Sequence, residues 1–248
     1  MSPIIARDLT KTFGAFKAVD RLNLEVRQGE IFGFLGANGA GKTTALRMLT
    51  GLLTPSAGAA EVAGIDVFRH PNRVKQRIGY MSQKFSLYED LTVRENIRLY
   101  GGIYGLKPAV IRSKTERILQ ELELTDHQHT LARALPLGWK QKLAFSTAML
   151  HDPAIVFLDE PTSGVDPLTR RQFWELIYAA AARGVTLMVT THYMEEAEYC
   201  MRVSIMAEGR IVALDTPGRL KARFNAQTMD ETFRKIAEWG LRSGDMGD

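Results

Sequence analysis

Gly36, Gly41, Lys42 and Thr43 fall at the spacing of a phosphate-cradling loop within Gly36-Ala37-Asn38-Gly39-Ala40-Gly41-Lys42-Thr43, a match to G-x-x-x-x-G-K-[ST]. Glycines at such positions let the backbone come close to a ligand with φ > 0, so that several N–H groups converge on one anion. A helix opening at the loop's end adds its partial positive charge. Lys42 is then placed to reach β- and γ-phosphates, Thr43 to offer a hydroxyl to Mg²⁺, and Gly36, Asn38, Gly39 and Thr44 to complete the cradle. A chance match in a chain this long is roughly a one-per-cent event from average glycine usage. The chemistry indicated is binding of a nucleoside triphosphate.

Two further elements bear on the fate of the bound nucleotide. Ile155-Val156-Phe157-Leu158-Asp159-Glu160 is an apolar run ending in carboxylates, which a parallel sheet would deliver to its ligand-binding edge. Asp159 is suited to holding Mg²⁺ through the metal's water shell, and Glu160 to polarising a water for in-line attack. His192 closes Val189-Thr190-Thr191-His192, and neighbouring parallel strands would carry it to the same edge as Glu160. Of the other histidines, His70, His127, His129 and His151 suggest nothing comparable, and His127-x-His129 is too sparse for a metal site.

The elements that must position these residues follow from periodicity. Residues 31–35 read as a buried strand before the phosphate loop, and 44–50 as a helix after it. Further strands are expected at 4–7, 22–26, 58–62 and 78–81. From about 85 to 151 the pattern turns helical, over 92–104, 109–122 and 137–150. β/α alternation then resumes, with strands at 155–159, 185–190, 203–206 and 210–214, a helix at 168–182, and a short one at 194–200. Such alternation argues for an α/β fold with a mainly parallel sheet covered by helices on both faces. The expected domain plan is a single domain over 1–225, with core 1–84 and 153–225 and a helical insertion at 85–152. A C-terminal helix follows within 226–248, apolar at Phe233, Ile236, Ala237 and Trp239, and its Gly/Asp-rich end is expected to fray.

Composition sets the outer bounds. The 248 residues are 45% hydrophobic and 24% charged with a net charge of +4, ordinary for a globular protein with a sizeable core. The basic residues are dispersed, so no nucleic-acid partner is expected. A single cysteine, Cys200, excludes an internal disulfide and fits a reducing compartment. No apolar run approaches the length of a bilayer span, and Met-Ser-Pro-Ile-Ile-Ala-Arg-Asp lacks the layout of a secretory signal. Work at a membrane would therefore need another subunit as anchor.

Taken together, the motifs show that the chain resembles the ATP-binding subunit of an ATP-binding-cassette (ABC) transporter, from about residue 4 to 223. Besides the phosphate loop and Asp159-Glu160, Phe13 stands where the family stacks an aromatic ring on adenine. Gln83 matches the glutamine that contacts Mg²⁺ and links core to helical insertion. Ser163-Gly164-Val165-Asp166 matches the loop that crosses the dimer interface, and His192 the histidine that senses the γ-phosphate. The resemblance implies a P-loop NTPase core with an N-terminal antiparallel β subdomain and an inserted helical subdomain. It also implies ATP and Mg²⁺ as ligands, a second cassette and a transmembrane permease as partners, and a cytoplasmic, membrane-peripheral location. Two cassettes would sandwich two ATP molecules, hydrolysis would let them part, and residues 84–91 would carry the motion to the permease.

One motif departs from the family. Its signature, normally Leu-Ser-Gly-Gly-Gln, is here Leu135-Pro136-Leu137-Gly138-Trp139. Pro136 removes a hydroxyl and an N–H, and Leu137 adds bulk. The segment still opens a helix, and the N–H groups of Leu137, Gly138 and Trp139 are expected to face an anion bound by the partner cassette, alongside Asp166. Two readings compete: a homodimer hydrolysing ATP at both sites, or a heterodimer with one degenerate site. Intact Lys42, Asp159, Glu160 and His192 favour the first. The wording Leu-Pro-Leu-Gly-Trp-Lys-Gln-Lys is similar to that of cassettes serving ABC-2 exporters. The rival classes are a soluble ABC ATPase acting on ribosomes or DNA and a non-hydrolysing regulatory module. The first rival is disfavoured by a single cassette without sustained heptads.

Overall fold

The computed structural model describes residues 3–83 and 87–243, with side chains described as far as residue 238. Strands β1 (Ile4–Phe13) and β2 (Phe16–Val26) form a hairpin, turned at Gly14 with φ 59°, a left-handed conformation that suits glycine. β3 (Ile31–Gly36) is buried throughout and leads through the phosphate loop into α1 (Lys42–Leu49). β4 (Ala57–Val62) and β5 (Ile65–Asp66) complete an antiparallel sheet of order β2-β1-β4-β5. After α2 (Pro71–Lys75) and β6 (Ile78–Met81) come the helices of the insertion: α3 (Val93–Ile103), α4 (Pro108–Glu121) and α5 (Leu137–Ala148). α3 starts where Thr92-x-x-Glu95 forms a capping box, each side chain bonding the other's backbone N–H, which satisfies two donors left unpaired at a helix start.

The chain returns through β7 (Ile155–Asp159), α6 (Pro167–Ala182), β8 (Thr186–Thr191), a 3₁₀ turn at Met194–Tyr199, β9 (Arg202–Ala207) and β10 (Arg210–Asp215). It ends in α7 (Pro217–Arg223) and α8 (Met229–Ser243). The second sheet has the order β10-β9-β3-β8-β7-β6, parallel everywhere except between β10 and β9.

The period of two in β3 divides the core. Phe32 and Phe34 pack toward the antiparallel sheet with Ile4, Val19, Leu46 and Met48, while Ile31 and Leu35 face Phe173, Trp174 and Ile177 on the other side. The insertion has its own cluster around Val93, Ile97, Leu119 and Leu143. Leu87 packs on both that cluster and the α6 side of the sheet, joining insertion to core. Tyr88 is half exposed and tilts against Tyr100.

Differences from the sequence reading lie at edges and in short elements. β1 and β2 run longer than their apolar centres, because their outer halves are held by cross-strand bonding rather than burial. β5, α2 and α7 fall below the length that periodicity can register. β8 ends at Thr191, so His192 sits one residue past it, and the short helix at 194–200 is 3₁₀. The link 84–86, the side chain of Trp239 and the final residues 244–248 lie outside the described residues.

Candidate functional site

The phosphate loop owes its path to close backbone contacts. A Cβ at Gly36 would stand 2.5 Å from the carbonyl oxygen of Met206, and one at Gly41 would collide with that of Ala18. Gly41 also has φ 104°, which L side chains rarely adopt. Asn38 and Gly39 form the exposed tip of the loop, and Gly41 caps α1 without a side chain in the way. The first-turn N–H groups of α1 are left for an anion.

Lys42 is buried, its Nζ donating to the carbonyls of Gly36 (2.8 Å) and Ala37 (3.1 Å) and standing 3.5 Å from Glu160. Burial pulls its ammonium below the ordinary lysine range, and Glu160 opposes that shift. An ammonium held by two carbonyls and one carboxylate is ready to exchange them for phosphate oxygens. Thr43 Oγ1 donates to Asp159 Oδ1 at 3.1 Å. Burial raises the Asp159 carboxyl above its usual value, against hydrogen bonds from Thr190 and Thr43 that lower it. Among the described residues no cationic side chain lies within ion-pair distance of Asp159, so a hydroxyl and a buried carboxylate stand together as hard oxygen donors. That pair fits Mg²⁺, which keeps water and phosphate oxygens as its other ligands.

Glu160 follows directly on β7 with φ 48°. The left-handed turn brings its carboxylate among Lys42, Gln83 and His192: Gln83 Nε2 donates to Oε2 at 3.0 Å, and His192 Nδ1 lies 3.1 Å from the same oxygen. The structure thus gathers Lys42, Thr43, Asp159, Glu160, Gln83 and His192 at the carboxyl edge of one parallel sheet. Thr44 lies half-buried in the first turn of α1.

Phe13 is half exposed with Lys11 Nζ 5.2 Å over its ring. A cleft of about 530 Å³ beside the loop is lined by residues that include Phe16, Ala18, Ala37–Ala40, Met206–Gly209 and, from α8, Phe233. The motif singles out Phe13, before the hairpin turn, and sequence reasoning did not single out Phe16 after it. That reasoning treated Phe233 only as a packing residue of the tail.

The atypical signature folds as a helix start, with Pro136 in the cap position before α5. The expectation for Trp139 is corrected. Its N–H donates to Pro136 O at 3.0 Å, and its ring lies against His127, so only Leu137 and Gly138 keep their N–H groups outside the helix. Leu137 is partly exposed beside Gly164. Asp166 is exposed but engaged: it caps α6, accepting from Thr169 N at 3.0 Å and Thr169 Oγ1 at 2.5 Å. Those bonds hold its carboxyl below the usual range. Gln141, fully buried in α5, donates toward Ser163 O at 3.4 Å and ties the signature helix to this loop.

A family model described as "ABC transporter" matches residues 19–163. The chain belongs to the ABC transporter family. It is 49% identical over 242 residues to a probable multidrug ABC transporter ATP-binding protein, YbhF, of Escherichia coli, covering 95% of this chain but 42% of that protein. It is 36% identical to the daunorubicin resistance ATP-binding protein DrrA3 of Streptomyces coeruleorubidus, covering 93% of the chain and 73% of the relative. A solved ATP-binding subunit of an ABC transporter superposes with a TM-score of 0.86 at 28% identity, over 95% of the cassette and 100% of that chain. At 23% identity and a TM-score of 0.78, over 86% of this chain and 98% of that one, the fold is shared with the cassette MJ0796, solved as a dimer bound to ADP and Pi. Among the described residues no helix is long and apolar enough to cross a membrane.

Proposed function

We propose that this cassette binds and hydrolyses ATP to drive an ABC-2-type exporter. The observation that carries the reading is the placement of Glu160. Its carboxylate is turned out of the strand to within reach of Lys42, Gln83 and His192, at the edge where the phosphate loop ends. Phosphoryl transfer asks mainly for positioning and charge stabilisation. The loop's N–H groups and Lys42 hold the β- and γ-phosphates, Glu160 accepts the proton of the attacking water, and His192 and Gln83 hold Glu160 in line. Mg²⁺ would be held by Thr43 and Asp159, with Gln83 adjacent, and supplies charge neutralisation on the phosphate oxygens.

Two cassettes joined head to tail would each complete the other's site with Pro136, Leu137, Gly138 and Asp166. ATP then favours the closed pair because it touches both faces. Relatives named for multidrug transport, daunorubicin resistance and Nod factor export support the exporter reading. The permease would anchor the cassette on the cytoplasmic face of the membrane, reached through the segment from Gln83 to Leu91.

The test is ATP turnover against protein concentration, with Glu160→Gln as the blank. Turnover rising faster than linearly, and abolished in Glu160→Gln while ATP still binds, is the expected result. Unchanged turnover in that variant removes Glu160 as the base. No turnover above the blank by the cassette alone moves the composite site to a different partner cassette. Chelating divalent metal is expected to stop turnover.

A further inference from the structure

Asp159 and Glu160 are consecutive, yet the hydrolytic reading, on which this inference rests, needs both carboxylates on the same side of the sheet edge. A continuing strand would send them to opposite faces. The backbone solves this at Glu160 by entering the left-handed region at φ 48°, a conformation that a non-glycine residue holds only when its surroundings impose it. The imposing group is visible. Thr190 is the registered partner of Asp159 across the parallel β7–β8 pair and is fully buried. Its Oγ1 accepts from the Glu160 N–H at 2.9 Å and donates to Asp159 Oδ1 at 2.7 Å. The Thr190 carbonyl accepts from the same N–H at 3.2 Å. A threonine hydroxyl has one proton and two lone pairs, so this one is satisfied on both sides with no freedom to rotate.

We infer that Thr190 is the positioning residue for both carboxylates, its single hydroxyl locking the turn at Glu160 and aiming Asp159. Thr43 makes the other hydroxyl bond to Asp159 Oδ1. When Thr43 turns to a metal, Thr190 is the group left to keep Asp159 in place. His192 lies two residues on, so β8 delivers the positioning hydroxyl and the histidine to the same edge. Thr190 is fully buried and acts through Asp159 and Glu160.

The test compares Thr190→Val, which keeps the shape and removes the hydroxyl, with Thr190→Ser, which keeps the hydroxyl, using Glu160→Gln as the blank. Thr190→Val is expected to lose about 30- to 100-fold in kcat, two hydrogen bonds to reacting groups each being near a factor of ten. Its KM for ATP and its affinity for ATP in EDTA should stay within about 3-fold, and the metal concentration for half-maximal turnover should rise. Thr190→Ser should keep kcat within about 3-fold of the parent. Should Thr190→Val fail to fold, Thr190→Cys, a weak hydrogen-bonding substitute of similar size, takes its place. A valine variant as fast as the parent overturns the inference, as does a serine variant as slow as valine, or metal-free ATP affinity falling in step with kcat. A parent no faster than Glu160→Gln, both alone and mixed with a partner cassette, overturns the hydrolytic reading itself, and this inference with it.

Discussion

Replacing Lys42 by methionine separates ligand binding from folding. The buried ammonium is held by the carbonyls of Gly36 and Ala37 and by Glu160, and burial already disfavours its charge. Methionine keeps the apolar stem and removes that charge, while Glu160 keeps Gln83 and His192 as partners. The melting temperature without nucleotide should therefore move by only about 2 °C. A charge-assisted hydrogen bond to phosphate contributes about 1.5–3 kcal/mol, so the Kd for ATP should rise about 10- to 150-fold. The assay is thermal shift with Mg-ATP at 100 times the parent's Kd. Ligand linkage then stabilises the parent by about 2.7 kcal/mol and a variant 100-fold weaker by about 0.4 kcal/mol. For a chain of this size that is about 5–11 °C against about 1–2 °C. A full nucleotide-induced shift in Lys42→Met would refute the phosphate role. A collapse of the nucleotide-free melting temperature would instead make Lys42 a structural ion.

Arg202 donates through Nε to buried Glu30 Oε1 at 2.5 Å and through Nη2 to Oε2 at 3.1 Å; Arg202→Met removes the charge partner and leaves that carboxylate only the Arg27 N–H at 2.7 Å, which should cost about 3 kcal/mol by urea unfolding, with nucleotide affinity unchanged. Asp166 has its carboxyl lowered by Thr169, so its cap on α6 is complete above the ordinary carboxylate range and is lost as pH falls through the lower folded value. Asp166→Ala should therefore lower the melting temperature at pH 7 and flatten its fall below about pH 4, whereas Asp166→Asn retains an acceptor for the Thr169 N–H and should keep most of the stability at pH 7; identical acid profiles in all three would remove the cap from the account. Gly138→Ala places a Cβ 2.6 Å from the Thr169 methyl, and that methyl cannot rotate away while Thr169 Oγ1 is bonded to Asp166. The expected loss is about 1–3 kcal/mol of stability by denaturant unfolding, and a loss below about 0.5 kcal/mol would mean that the two helices part freely.

What was legible in the sequence was local and contiguous. The phosphate loop carries its own instructions, because the glycines that permit its path and the lysine and threonine that use it are neighbours. The end of β7 was legible because an apolar run closing on two carboxylates marks a sheet edge. The insertion could be read from helical spacing. Thr190 was not legible, because nothing in Val189-Thr190-Thr191-His192 says that β8 pairs with β7 in the register that sets Thr190 beside Asp159. The same holds for Gln141 and for Phe233. Each matters through an element distant in the chain, and distance in the chain is what pattern reading cannot span.

The signature shows how a motif can lose its wording and keep its mechanics. Two of its departures fall on the outward side: Pro136 occupies a cap position, where the missing N–H breaks no helical bond, and Leu137 projects beside Gly164; the third, Trp139, packs against His127 and the insertion's core. The inward side is constrained. Gly138 is pressed against Thr169, Thr169 is held by Asp166, and Gln141 reaches Ser163. The start of α5 and the loop before α6 are therefore fastened into one surface by contacts that do not depend on the residues that changed. A partner cassette would meet that surface with two backbone N–H groups at the start of α5, those of Leu137 and Gly138. Trp139 spends its own on Pro136. Binding in trans then rests on fewer donors at the signature, and the concentration dependence of turnover is where that reduction should be felt.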